Sequence, residues 1–95
     1  MLAGITSKAS EQTLASAATI VPSADIVKLT GSTAVATIVP PFGGSGGHIV
    51  LVPLDGTLGL LTTGNIAIAV TMAQSRATVL MYSASANVWY PGAIS

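Results

Sequence analysis

The sequence predicts an all-β domain, built as a small antiparallel sandwich, a jelly-roll-like body or a barrel. Short aliphatic runs recur about every ten residues from Ala18 onward. Most of them end at Gly or Pro, which turn a chain rather than continue a helix or a ladder. The clearest run, 48–52, is β-branched and Leu-rich and lies between the strongest turn signals, PPFGGSGG before it and Pro53 to Asp55-Gly56 after it.

Taken in order, residues 1–17 form an N-terminal arm and 18–95 a single β domain. The arm has little apolar material, and Ser7 is placed to cap a short helix through Leu14. The expected strands are 19–21, ended by Pro22, 25–30, ended by Gly31-Ser32, and 34–39, ended by Pro40-Pro41. They continue with 48–52, a short piece at 58–61, then 65–71, 77–82 and 88–90. Asp55-Gly56 suits a tight hairpin turn. The Gly-polar-aliphatic openings of GHIVLV and GNIAIAV are two similar segments and not an array, so no solenoid is expected.

The strand faces carry more information. Ile49 and Leu51 point one way and Val50 and Val52 the other, so that strand is apolar on both sides. Val79 and Met81 oppose Leu80 and Tyr82 in the same manner. Ile66, Ile68 and Val70 share a face whose reverse holds only Ala67 and Ala69, which suits close approach of another sheet or subunit. More dry faces than one sandwich core needs imply that one is an intersubunit surface, with Ile49, Val50, Leu51, Val52, Ala67 and Ala69 as its candidates. The competing account is a central strand covered on both sides within one chain.

Composition points the same way. Of 95 residues, 51% are hydrophobic and 6% charged, with three basic and three acidic groups. A small domain hides only roughly 60–65% of its unfolded surface, and ordinary surfaces are about 25–35% charged. A near-neutral skin of Ser, Thr, Gly, Ala and leftover aliphatics associates, whereas a Ser/Thr-coated monomer is the plainer alternative. Neutrality argues against nucleic acid or anionic lipid as partners. No run reaches the ~20 apolar residues of a spanning helix, and the first residues lack the pattern of a secretory signal. With no cysteine there is neither disulfide nor thiolate chemistry.

Catalytic chemistry finds little footing. His48 is the only histidine, without an acidic or cysteine cluster to complete a metal site, so neither metal nor cofactor is expected. Glu11, Asp25 and Asp55 are far apart in sequence, and Asp55 is explained by its turn. GGSGG lacks the Lys-Ser/Thr pair of a phosphate loop and reads as a flexible loop. An enzyme would need a cleft at a subunit boundary around His48. Trp89 and Tyr90 are candidate receptor contacts, set against completion of a core edge.

The order of L-T-G-S-T, the I-x-P-P-F-x-G turn, G-x-I-x-L, T-T-G-N-I-A and a last strand ending W-Y resembles a β-rich module of tailed-bacteriophage virion proteins. That module occurs in head decoration (cement) proteins and in tail fibres and spikes, and the similarity covers about residues 18–92. The resemblance implies a non-enzymatic homotrimer at the capsid surface of a virion. Its partners would be its own copies and the major capsid protein, gripped by an arm whose candidate contacts are Leu2, Ile5, Lys8, Glu11 and Leu14. The alternative it implies is a fibre or spike tip module that binds a host receptor or glycan.

Overall fold

Turns marked by Gly and Pro send the chain back and forth between two layers, and this alternation generates the architecture. The computed structural model describes residues 10–42 and 44–94. Its strands are β1 (Glu11–Ala15), β2 (Thr19–Ile20), β3 (Ile26–Thr30), β4 (Thr37–Ile38), β5 (Gly47–Pro53), β6 (Leu58–Leu60), β7 (Val70–Met72), β8 (Thr78–Ser83) and β9 (Val88–Ile94). The main sheet has the order β1-β3-β5-β8-β9, and β2-β4 and β6-β7 form small sheets. A single bridge, Val35 to Leu60, links the small sheets into a second layer. The all-β expectation holds.

The expected antiparallel sandwich is corrected to a mixed one. β1, β3 and β5 run parallel, as do β2 and β4, while β8 and β9 are antiparallel additions. The reason is topological. Each main-sheet strand from β1 to β5 is followed by one in the other layer, so the next main-sheet strand returns in the same direction, a short parallel coil. Glu11 lies beside Ile26 and Ile26 beside Val50, steps of 15 and 24 residues. Unequal steps leave no period in the sequence, although the chain winds as a coil does. Asp55-Gly56 likewise makes no hairpin: β5 pairs with β3 and β8, and the turn carries the chain to β6 in the opposite layer.

The core lies between the layers. Val27, Leu29, Ile49, Leu51, Leu80, Tyr82 and Trp89 face it from the main sheet, and Ile20, Val35, Ile38, Leu58, Leu60, Ile66 and Met72 from the other side. Ile49 and Leu51 are 1% and 0% exposed, so they belong to this core and not to a subunit interface. Only one face of β5 is free.

Two further expectations change. Residues 11–15, assigned to the arm and to a helix, form edge strand β1, which pairs with β3 over Glu11–Ala15. Side-chain bonds favour the strand: Gln12 donates to Ser23 Oγ at 3.1 Å and accepts the Ser23 amide at 2.6 Å. Leu14 packs on the core and Glu11 meets Lys28 at 3.0 Å, so neither belongs to a free arm. Ser7, Leu2, Ile5 and Lys8 lie outside the described residues. The strand expected at 65–71 is confined to β7, and Ala67 and Ala69 sit exposed on the preceding loop, not on a sheet face. Ile68 is 58% exposed. The apolar alternation there is overridden by Asn65, which is held elsewhere.

Candidate functional site: the outer face of the main sheet

One carbonyl on β4 joins three parts of the chain. Ile38 O accepts Asn65 Nδ2 at 2.7 Å and Trp89 Nε1 at 3.0 Å, while the Ile38 amide donates to Asn65 Oδ1 at 2.9 Å. The Asn65 amide group thus pairs with Ile38 as a neighbouring strand would. Asn65 O then accepts the Trp89 amide at 2.8 Å, and Trp89 O accepts the Ala67 amide at 2.9 Å. Residues 65–67 therefore tie β4 in one layer to β9 in the other. Gly64 makes this approach possible, because a Cβ there would overlap the carbonyl of Ala36.

Aromatic packing closes the adjacent end. Phe42 lies 5.8 Å from Trp89 and 6.3 Å from Tyr82 between ring centroids, and Tyr82 lies 5.0 Å from Trp89. A Cβ on Gly47 would come within 2.7 Å of the Phe42 ring, and one on Gly46 within 2.9 Å of the Tyr82 carbonyl. Two glycines of the GGSGG loop therefore serve close packing. Trp89 is fully buried, which removes it as a receptor contact and places it in the structural role.

With the inner face filled, strand alternation turns a second apolar set to the outside. Val50 lies beside Ile26 on one flank and Val79 on the other. His48 lies beside Met81, and Met81 beside Tyr90. Val79, Met81 and Tyr90 are 41%, 58% and 43% exposed, and Ile26, Val50 and Val52 are half-buried. The patch thus crosses β3, β5, β8 and β9. It carries Lys28 at its β1 side, already paired with Glu11. Val50 and Val52, expected at an interface, sit within it.

His48 is exposed on this face, and no group of three or more His, Cys, Asp or Glu side chains suited to a metal occurs among the described residues. Asp55 Oδ2 accepts the Gly31 amide at 2.7 Å, so that carboxylate fastens one coil turn to the next. No described helix is long and apolar enough to cross a membrane. Asn65 and Ile38 entered the sequence reading only as letters of the resemblance motifs and without a role, because their bonds depend on tertiary approach. Val79 and Met81 were legible as a two-sided apolar pattern but were not among the interface candidates. Comparison with protein-family models, with curated proteins and with solved structures found no match.

Proposed function

We propose that the chain is a non-enzymatic structural protein of a tailed-bacteriophage virion, a capsid decoration protein that binds across capsid subunits as a homotrimer. The observation that carries this reading is the outer face of the main sheet, an apolar surface on a chain of which only 6% of the residues are charged. Exposed patches of this kind mark interaction surfaces. The sequence resemblance adds the type of particle. Its motif residues include Gly31, Phe42, Gly64, Asn65 and Trp89, the residues that fasten the coil turns and tie the layers.

The mechanism is linkage. A ligand that binds only the assembled shell stabilises it by RT ln(1 + [L]/Kd) per site, and trimeric display raises the effective concentration of each further contact. Purified protein mixed with undecorated capsids is expected to co-sediment and to raise their heat resistance. Failure of both results rejects the assignment.

A second reading is a fibre or spike module that contacts a glycan, favoured by the exposed Tyr90 beside Met81, which in turn lies beside His48. It requires glycan binding that is lost in Tyr90→Ala while the fold persists.

A further inference from the structure

We propose that the edge of β1, which no strand among the described residues pairs with, pairs with the same edge of a second copy, antiparallel and across a two-fold axis at Thr13, joining two main sheets into one.

The hydrogen-bond pattern defines the edge. The Ile26 amide donates to Ser10 O at 3.0 Å and the Ser16 amide to Thr30 O at 2.9 Å. In a parallel ladder alternate residues turn their amide and carbonyl to the same neighbour, so Ser10, Gln12, Leu14 and Ser16 serve β3. Glu11, Thr13 and Ala15 turn theirs away, at the end of the strand order opposite β9. Such an edge is a template for another strand.

Its chemistry favours a copy of itself. An antiparallel mate centred on Thr13 sets Thr13 against Thr13 and Glu11 against Ala15, and every one of these residues has its amide and carbonyl directed outward. The pairing is self-matching and leaves no register mismatch within β1. Threonines facing each other across strands are a favourable pair. The usual guards of an edge are missing: 10–16 contain neither Pro nor Gly, and the one charge, Glu11, is matched by Lys28 of its own chain. Neutral edge meets neutral edge without repulsion. This surface is distinct from the outer sheet face, so the inference stands apart from the capsid reading.

The chain has no cysteine, which permits a clean cross-linking test. Directly opposed, hydrogen-bonded residues have Cα atoms about 5.5 Å apart, within disulfide reach. Mild oxidation of full-length Thr13→Cys is expected to give a covalent dimer, while Ser85→Cys, exposed in the β8–β9 turn, stays unlinked. Thr13→Pro removes only an outward amide and is expected to lower the mass measured by light scattering. Thr13→Cys that stays unlinked, or that links no faster than Ser85→Cys, overturns the proposal. So does folded Thr13→Pro of unchanged mass. Met81→Lys reports separately on the outer face.

Discussion

Trp89 and Ile38, 51 residues apart, are joined by an indole N–H to carbonyl hydrogen bond of 3.0 Å inside the core. The indole spans the two layers, filling volume and supplying a donor at once. Trp89→Ala is expected to cost about 3–5 kcal/mol, enough to unfold most of a marginal domain. Trp89→Phe keeps most of the volume, and Asn65 still satisfies Ile38 O, so its cost is about 1–2 kcal/mol. Urea titration followed by far-UV circular dichroism separates the two.

Asn65 holds Ile38 through both ends of its amide. In Asn65→Ala the Ile38 N–H loses its acceptor beside a fully buried side chain, and the expected loss is about 1–3 kcal/mol. Equal stability of wild type and Asn65→Ala in thermal melts contradicts that role.

Gly64 and Gly59 differ in what a methyl group meets. At Gly64 it overlaps the Ala36 carbonyl, whereas at Gly59 its nearest neighbour is Ala34 Cβ at 3.8 Å. Gly64→Ala is expected to cost about 2 kcal/mol or more and Gly59→Ala about 0.5 kcal/mol or less. Denaturant midpoints of the two variants check the ordering.

Thr78 is fully buried between β5 and β9, and its hydroxyl has no partner among the described residues. A buried hydroxyl without a bond costs free energy that an apolar group of the same shape avoids. Thr78→Val is therefore expected to raise stability by about 1 kcal/mol. A lower melting temperature contradicts this.

Much of the strand pattern was legible because Pro and Gly punctuate it: Pro22, Gly31, Pro40 and Pro53 each stand close to a strand end. Local signals end strands without saying which strands pair. The parallel arrangement was therefore hidden, and unequal coil steps erased any repeat. β1 escaped because EQTLA is weakly apolar, and its place depends on Gln12 bonding to Ser23 and Glu11 pairing with Lys28. At 65–69 the alternation imitated a strand, yet the Asn65 clamp directs that segment to β4 and β9. For the candidate face, two-sided apolarity was readable in 48–52 and 77–82, and the structure decided which side is free. It is Val50 and Val52 with Val79 and Met81, while Ile49, Leu51, Leu80 and Tyr82 fill the core.

The most direct measurement is the mass of the purified chain by light scattering at micromolar concentration, for wild type and for Met81→Lys. Assembly through the outer sheet face requires a wild-type mass that is a multiple of 9.4 kDa, three or more copies, falling in Met81→Lys with the circular dichroism spectrum unchanged. A wild-type monomer of 9.4 kDa, or a Met81→Lys variant as large as the wild type, contradicts it.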